Sequence, residues 1–369
     1  MKLSSKIGSL TKALVTRRLE FRFDGMPFRI DDVSQAKLMT IMRSAINCAK
    51  ARPSAPLYPV QLQIEPSSTC MLKCPVCPAV TSAKPSSQRI MPMPLYKSII
   101  DDVGDYATIA IFWMWGEPLT NPAFSDMVAY AHQKKIATFS STNGHAVQTE
   151  AQAEQIVRSG LDVLVVALDG ATQETYQSYR IGGDINKVFR CLELLRQAKT
   201  SLGSTKPLVS VRTVVSRKNE GELDAIEDIA RSYGADMAAR KLMCICDLSD
   251  SEENESLLPI DTRYIRGADR NNPRARKSVE TLKCRRPWSR MTVNAEGTVL
   301  PCEFDFKEAN PFGRVDDGIS ALSAWRSQTA ESFRQRFSER KSDFEYCRSC
   351  TYKDGGSFEC TVETKPLHK

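Results

Sequence analysis

The sequence lacks long apolar runs and an apolar N-terminal segment. Its longest apolar runs, such as 161-LDVLVVAL-168, are far shorter than the roughly 20 residues that span a bilayer. The basic stretch 1-MKLSSKIGSLTKALVTRRLE-20 has no apolar core of about 7–15 residues, which a secretory signal requires. These absences argue against a membrane span and predict a cytoplasmic protein.

A strong charge of either sign is also absent. The 369 residues carry a net charge of +7, with 41% hydrophobic and 26% charged residues, which is ordinary for a globular chain. Basic residues cluster in 1–20 and 265–277, but they form no aromatic-and-basic pattern of the kind that binds nucleic acid. We interpret these clusters as solvated surface and do not expect a nucleic-acid partner.

Histidine is scarce, whereas cysteine is not. Three histidines accompany twelve cysteines. In a reducing cytosol disulfides are disfavoured, so clustered cysteines there more often hold metal or do redox chemistry. Three of them, Cys70, Cys74 and Cys77, form a C-x3-C-x2-C motif.

This motif is typical of a 4Fe–4S cluster with one open iron. Each of the four irons takes one outer ligand, usually a thiolate, so three cysteines leave one iron able to bind a substrate or cofactor. Zinc is the alternative. It requires a fourth ligand, and no histidine lies near the motif in sequence.

The order of predicted elements indicates an α/β protein in several parts. Residues 1–56 form an N-terminal extension with a hairpin at 19–30 and a helix at 34–51. Residues 57–246 alternate strands with helices, which implies a parallel sheet with right-handed crossovers. Five strand–helix repeats and a sixth strand are too few for an eight-stranded barrel, so we predict a partial (β/α)6 barrel. The boundaries of these units are as follows: predicted strands 60–66, 108–114, 136–142, 161–168, 208–215 and 237–244; predicted helices 94–104, 122–134, 150–159, 185–201 and 220–233; linker or lid 247–280; small C-terminal α+β unit 281–369.

Five further motifs follow the predicted strands in order, and with the cysteine motif they resemble the radical S-adenosylmethionine superfamily. They are 116-GEPL-119, 142-TNG-144, 167-ALDG-170, 176-YQSYRIGG-183 and 211-VRTVVSRKN-219. The resemblance covers about residues 60–245. It implies that S-adenosylmethionine binds the open iron and, once reduced by one electron, yields a 5′-deoxyadenosyl radical that takes a hydrogen atom from the substrate.

The same resemblance implies which residues contact the cofactor. Glu117 and the backbone around it would receive the ammonium group, and Arg180 would pair with the carboxylate. The full predicted set is Gly116, Glu117, Pro118, Thr142, Asn143, Asp169, Arg180 and Asn219. Structural alternatives remain: Gly144, Gly170 and Gly182 would also suit tight turns, Asp169 a helix cap and Arg180 a surface salt bridge.

A second group of cysteines lies in the C-terminal unit. Cys284, Cys302, Cys347 and Cys350 would satisfy all four irons of a second 4Fe–4S cluster, which leaves no open site. The pattern resembles the auxiliary-cluster domains called SPASM and twitch. Cys360 is the single extra cysteine of this unit, so we expect one auxiliary cluster; four-thiolate zinc is the alternative.

The function that this combination predicts is hydrogen abstraction from a small polar substrate, such as a carbohydrate, aminocyclitol or aminoglycoside, leading to oxidation or epimerisation. Modification of a ribosomal peptide is the alternative, because related enzymes act on peptides; residues 1–56 look short for a leader-recognition domain. A non-catalytic electron carrier is a third. Candidate catalytic residues are Cys244 and Cys246 as hydrogen donors and Arg212, with Lys241, as proton-handling groups. An electron donor such as flavodoxin or ferredoxin is the expected protein partner.

Overall fold

The computed structural model describes ten stretches of the chain: residues 13–23, 26–49, 56–81, 89–243, 256–265, 279–281, 284–315, 318–348, 350 and 361–368. The strands are β1 (Leu19–Phe23), β2 (Met26–Ile30), β3 (Gln61–Ile64), β4 (Ile109–Phe112), β5 (Ala137–Thr142), β6 (Val163–Ala167), β7 (Leu208–Val214), β8 (Met237–Lys241), β9 (Arg290–Val293), β10 (Thr298–Leu300), β11 (Gly313–Arg314) and β12 (Thr361–Pro366). The α-helices are α1 (Gln35–Ala49), α2 (Pro78–Thr81), α3 (Met93–Val103), α4 (Phe124–Gln133), α5 (Glu150–Arg158), α6 (Gln173–Tyr179), α7 (Ile185–Ser201), α8 (Leu223–Ser232), α9 (Arg286–Ser289), α10 (Ala321–Trp325), α11 (Gln328–Glu339) and α12 (Glu345–Arg348).

Six parallel strands, β3 to β8, form the centre of the fold in chain order, which confirms the predicted partial barrel. Along the chain these apolar, buried strands alternate with helices, and the apolar faces of the helices pack on the outside of the sheet. In β6, for example, VLVVA is almost wholly buried because both faces are covered. Helix α5 begins at a capping box in which Thr149 and Gln152 satisfy each other's backbone N–H groups.

The C-terminal unit is joined to the barrel by strand pairing. Strand β9 pairs in parallel with β3, and β10 and β11 extend the sheet beyond it. At the other edge β12 pairs antiparallel with β8. The result is one ten-stranded sheet. Because backbone hydrogen bonds join β9 to β3, the C-terminal unit is held in a fixed position relative to the barrel.

The N-terminal hairpin packs against the inner, concave face of the barrel. Phe21 and Phe28 lie with their ring centroids 6.4 Å and 5.1 Å from that of Phe139 on β5. Helix α1 is attached through the buried Lys37, whose ammonium donates to the carbonyl oxygens of Lys134 and Lys135 at 2.6 Å and 2.9 Å. The hairpin and helix predicted within residues 1–56 are therefore present.

Some predictions concern parts of the chain that lie outside the described residues. These include Cys244, Cys246 and Cys360 and most of the predicted linker at 247–280. Among the described residues no helix is long and apolar enough to cross a membrane.

Candidate active site

The C-x3-C-x2-C motif forms the loop that follows β3, at the C-terminal edge of the parallel strands. Cys77 N–H donates to Cys74 O at 3.1 Å, which closes a turn, and Leu72 N–H points at Cys70 Sγ at 3.5 Å. Burial, reinforced by the neighbouring Cys74 and Cys70 sulfurs, raises the pKa of Cys77 to about 12. A bound cation would reverse this effect, because positive charge favours the thiolate. The loop therefore provides three neighbouring sulfurs suited to iron.

Glu117 connects the end of β4 to the end of β5. Its Oε2 accepts a hydrogen bond from Asn143 N–H at 2.7 Å, and its Oε1 accepts one from Leu119 N–H at 3.3 Å. Burial raises the pKa of this carboxyl to about 7, although the hydrogen bonds lower it. Asn143 in turn directs its side-chain amide at Cys70 Sγ, 3.5 Å away. Glu117 thus positions a residue that touches the cysteine loop.

Two glycines of the predicted motifs have backbone reasons to be glycine. A Cβ atom on Gly116 would lie 2.1 Å from Ser67 O, so only glycine lets the strand end approach the base of the cysteine loop. Gly144 has φ +81°, in the left-handed region. Thr142 Oγ1 accepts the Gly144 N–H at 3.0 Å, and Pro118 begins the short 3₁₀ turn Pro118–Thr120.

The ends of β6 and β7 meet at a buried polar network around Asp169. Its Oδ1 accepts Val214 N–H at 2.6 Å, and its Oδ2 is paired with the Arg180 guanidinium. Arg180 also directs Nη1 at Cys74 Sγ, 3.6 Å away. Asn219 donates its side-chain amide to the carbonyl oxygens of Asp169 and Val214, at 3.0 Å and 2.9 Å. The structure thus brings Asp169, Arg180 and Asn219 together beside the cysteine loop, and Arg180 is not a surface residue.

Two residues next to this network were not selected from the sequence. His145 follows the TNG motif, and its Nδ1 lies 3.0 Å from Asn143 O while its Nε2 accepts Asp184 N–H at 2.9 Å. This arrangement requires a neutral ring with the proton on Nδ1. Burial lowers the pKa of His145, which favours that neutral form. Tyr176 is fully buried beside it, with the rings nearly parallel at 6.4 Å. The available signal was that His145 follows one predicted motif and Tyr176 begins another.

Trp115 connects the cysteine loop to the C-terminal unit. Its carbonyl oxygen accepts from Cys77 Sγ at 3.8 Å, and its indole N–H donates to Glu303 O at 2.7 Å. Its ring packs edge-on against Phe304 at 5.5 Å. Glu303 directly follows Cys302, so one side chain spans the space between the two cysteine groups.

The four C-terminal cysteines line a single cavity. Its other walls are mainly apolar and aromatic, with Arg286 and Lys341 at the margin. Burial raises the pKa of Cys302 and of Cys347, so here too a cation is needed to favour the thiolates. The cavity's residues are as follows: Val279, Cys284, Arg286, Pro287, Pro301, Cys302, Phe304, Phe333, Phe337, Lys341, Tyr346, Cys347 and Cys350.

The donor set suits an iron–sulfur cluster better than zinc. Among the described residues no group of three or more His, Cys, Asp or Glu side chains is arranged to hold a single metal ion. Zinc would draw four sulfurs to about 2.3 Å from one centre. Four cysteines that line one cavity, without being grouped closely enough for one ion, instead suit a group with several metal atoms, each taking one thiolate.

Arg212 and Lys241 lie on the concave face of the barrel. Leu208 and Met237 on the same strands pack with the N-terminal hairpin on that face, and side chains two or four residues further along point the same way. Arg212 is flanked in register by Ala167 and Ala239, which are small. The structure therefore places two basic side chains toward the barrel interior.

Comparison with known families gives two matches. Residues 64–230 match the Radical SAM superfamily, and residues 284–351 match the SPASM family, described as an iron-sulfur cluster-binding domain. The two matched regions coincide with the barrel and with the unit that contains the four-cysteine cavity.

Curated relatives are distant. The GTP 3′,8-cyclase of Clostridium botulinum is 23% identical over 282 residues, covering 71% of this chain and 86% of that protein. The mycofactocin maturase MftC of Mycobacterium ulcerans is 29% identical over 184 residues, covering 50% of this chain and 47% of that protein.

Solved structures share the fold at low sequence identity. SuiB of Streptococcus suis bound to S-adenosylmethionine has a TM-score of 0.58 at 15% identity and covers 90% of this chain and 77% of that one. Native anSMEcpe with bound AdoMet has a TM-score of 0.54 at 16% identity, covering 82% of this chain and 93% of that one.

Fold and cysteine sites together define an iron–sulfur enzyme built on a partial (β/α) barrel. The chain belongs to the radical S-adenosylmethionine superfamily and has a C-terminal SPASM domain. Its cofactors are S-adenosylmethionine, the 4Fe–4S cluster that binds it and an auxiliary 4Fe–4S cluster. These conclusions confirm the predicted superfamily, fold class and cofactors.

Proposed function

We propose that this radical S-adenosylmethionine enzyme oxidises a small polar substrate at a C–H bond, with the auxiliary cluster accepting one electron. The observation that supports this proposal is Trp115, which contacts the cysteine loop through its carbonyl and Glu303 O through its indole, 2.7 Å away. A continuous sheet also joins the two units through β3 and β9. An electron acceptor held rigidly beside the active site suits a reaction that must remove a second electron.

In this proposal the two cysteine groups hold separate clusters. Cys70, Cys74 and Cys77 ligate the cluster that binds the cofactor, and Cys284, Cys302, Cys347 and Cys350 ligate the auxiliary one. When bound, S-adenosylmethionine and its cluster supply a 5′-deoxyadenosyl radical. The following residues position the cofactor: Gly116, Glu117, Pro118, Thr142, Asn143, Asp169, Arg180 and Asn219.

The proposed oxidation balances as the loss of two hydrogens. The substrate would give one hydrogen atom to the adenosyl radical, one electron to the auxiliary cluster and its hydroxyl proton to water. Arg212 and Lys241, as cations, are proposed to bind the substrate's hydroxyl group and to stabilise the negative charge that develops on its oxygen as the proton leaves. A flavodoxin or ferredoxin is the proposed source of the electron that starts each turnover.

The charge of the barrel interior narrows the substrate class. Arg212 and Lys241 favour a neutral or acidic hydroxyl compound over a polycationic aminoglycoside, because like charges repel in a poorly solvated site. The acidic stretch 250-DSEENES-256, which would suit a polycation, lies almost entirely outside the described residues.

Peptide modification is the second candidate. SuiB bound to its precursor peptide SuiA has a TM-score of 0.56 to this chain, and anSMEcpe also has a structure with a bound peptide, Kp18Cys. Identities of 16% and 18% support a shared fold, so these likenesses favour the peptide alternative without assigning it.

The test is a substrate screen with the reduced, reconstituted enzyme and S-adenosylmethionine. Neutral and acidic sugars or cyclitols, aminoglycosides and peptides are assayed for 5′-deoxyadenosine and for product mass. A product about 2 Da lighter supports oxidation. An unchanged mass with deuterium taken up from heavy water at carbon would instead mean epimerisation, and turnover of peptides alone would replace the small-molecule proposal.

Two arginines on neighbouring strands provide a matched pair of variants. Arg212 lies on the concave face, whereas Arg240 lies on the opposite face and pairs with Asp224 at 2.7 Å and Glu363 at 3.3 Å. We expect Arg212→Met to lower product formation at least tenfold and Arg240→Met to leave turnover per folded enzyme within about twofold. Equal effects of the two variants would contradict a role for Arg212 in the reaction.

A further inference from the structure

A buried tyrosine hydroxyl lies at the auxiliary cavity. Tyr346 precedes Cys347 on α12 and lines the cavity with the four cysteines. Its side chain is 9% exposed, and its hydroxyl oxygen is inaccessible to solvent. Among the described residues this hydroxyl has no hydrogen-bond partner. Buried polar groups are nearly always paired, so an acceptor is expected in the space beside it.

The surroundings of the hydroxyl limit what that acceptor can be. Besides burial, the ionisable groups with the largest electrostatic effect on it are Cys302, Asp305, Cys347 and Cys284. The Asp305 carboxylate already accepts the backbone N–H groups of Ala309 and Asn310, each at 2.9 Å. Phenylalanine and proline side chains supply much of the remaining cavity wall. Three of the four cysteines of the proposed ligand set, Cys284, Cys302 and Cys347, therefore act on this hydroxyl.

We propose that the Tyr346 hydroxyl donates a hydrogen bond to a sulfur of the auxiliary cluster and thereby raises the cluster's reduction potential. A neutral phenol is a donor, and both thiolate and sulfide sulfurs accept. Reduction adds negative charge to the cluster, so a donor at its sulfurs stabilises the reduced form more than the oxidised form. Tyr346 touches no substrate in this proposal and acts by tuning the cluster that accepts the substrate's electron.

The inference rests on the proposed assignment of the four C-terminal cysteines to the auxiliary cluster. The test is an EPR-monitored redox titration of the reconstituted full-length protein with and without S-adenosylmethionine. The signal that the cofactor leaves unchanged belongs to the auxiliary cluster. Tyr346→Phe removes one O–H group and preserves the ring. In this variant we expect the equilibrium constant for reduction of the auxiliary cluster to fall about tenfold. The midpoint potential of that cluster would then be about 59 mV more negative than in the wild type.

The chain provides a matched control in Tyr176, another buried tyrosine whose hydroxyl has no partner among the described residues and which lies near Cys74. Tyr176→Phe makes the same chemical change at the other cysteine group. It should leave the auxiliary potential unaltered.

A second perturbation nearly keeps the side-chain shape and should shift the auxiliary cluster's reduction potential in the opposite direction. Incorporating 3-fluorotyrosine at position 346 gives a more acidic phenol, which is a stronger donor, and should shift the auxiliary potential in the positive direction at pH 7. If Tyr346→Phe loses the auxiliary iron, the protein with 3-fluorotyrosine at position 346 tests the tuning role without it. An unchanged auxiliary potential with intact iron would refute the tuning role by itself. Absence of a second cluster signal in the wild type would refute the ligand assignment as well.

Discussion

Replacing Glu117 by glutamine tests how the cofactor site is organised. The carboxylate lies between two backbone donors, Asn143 N–H on Oε2 and Leu119 N–H on Oε1. Glutamine has the same shape but one acceptor oxygen. One of the two N–H groups would therefore face an NH₂ group in a site that is 3% exposed.

The expected loss of unfolding free energy in Glu117→Gln follows from the hydrogen bonds that the substitution removes. The shorter bond, to Asn143, is a hydrogen bond to a charged acceptor and is worth roughly 1.5–3 kcal/mol. A buried N–H group left without an acceptor costs about 1–3 kcal/mol. Burial already raises the pKa of Glu117 to about 7, so part of the population is protonated at neutral pH and the loss lies toward the lower end. We expect Glu117→Gln to lower the free energy of unfolding by about 2 kcal/mol.

Cofactor binding should be weakened separately from the loss of stability. The predicted ammonium contact adds a second charge-assisted bond, so S-adenosylmethionine should bind at least about tenfold more weakly, measured by calorimetry on the reconstituted protein. In the wild type, affinity should rise as the pH increases from about 6 to 8, because the carboxylate form is required. Glu117→Gln should lose that dependence. Unchanged affinity in the variant, with the same pH profile, would refute the role of the carboxylate.

Glu65 provides the control for Glu117. It is also a buried carboxyl with a pKa raised by burial to about 7, and it accepts two backbone N–H groups, from Ala295 and Trp115. Glu65→Gln should therefore cost similar stability while changing the affinity for S-adenosylmethionine less than about twofold.

Three further predictions concern Trp115, the pair Cys244 and Cys246, and Lys37. Trp115→Phe, which removes the indole donor to Glu303 O, should lower product formation several-fold while 5′-deoxyadenosine still forms, and equal losses of both products would contradict the proposed link. If the reaction is an oxidation, Cys244→Ala and Cys246→Ala should both retain product; a variant that forms 5′-deoxyadenosine without product would indicate a hydrogen donor and epimerisation. Burial lowers the pKa of Lys37 to about 7, so the folded state binds fewer protons than the unfolded state between about pH 7 and 10. Thermal denaturation should show wild type gaining stability relative to Lys37→Met as the pH rises through that range, and a constant difference would contradict it.

The barrel could be predicted because its signals are local. Short apolar strands such as Val163–Ala167 alternate with amphipathic helices, and this alternation alone implies a parallel sheet. The C-terminal edge of such a sheet collects the residues that follow each strand. The cysteine motif, Glu117, Asn143 and Asp169 were therefore expected to be neighbours, and they are.

The position of the C-terminal unit could not be read in the same way. Strand β3 ends at Ile64 and β9 begins at Arg290, 226 residues later. No local feature of the sequence indicates that these two strands pair in parallel. That pairing depends on which sheet edge is available in three dimensions. The β12 strand at the other edge, Thr361–Pro366, was missed for the same reason.

Individual polar contacts were also beyond sequence reasoning. His145 and Trp115 adjoin predicted motifs, but their partners, Asp184 N–H and Glu303 O, are 39 and 188 residues away. Tyr346 gave no signal beyond its position before Cys347. Such contacts depend on tertiary geometry, so a sequence can identify the group of ligands but not the residues that orient them.

The most direct test of the account is formation of 5′-deoxyadenosine by the reconstituted enzyme with dithionite and S-adenosylmethionine. It is compared between wild type, a Cys70→Ala/Cys74→Ala/Cys77→Ala variant and a variant with the four C-terminal cysteines replaced by alanine. Wild type should contain about eight iron atoms, and each variant should lose about half. We predict that the first variant forms no 5′-deoxyadenosine and that the second retains it without oxidised product. Cofactor cleavage by the first variant, or its absence in wild type, would contradict the central claim.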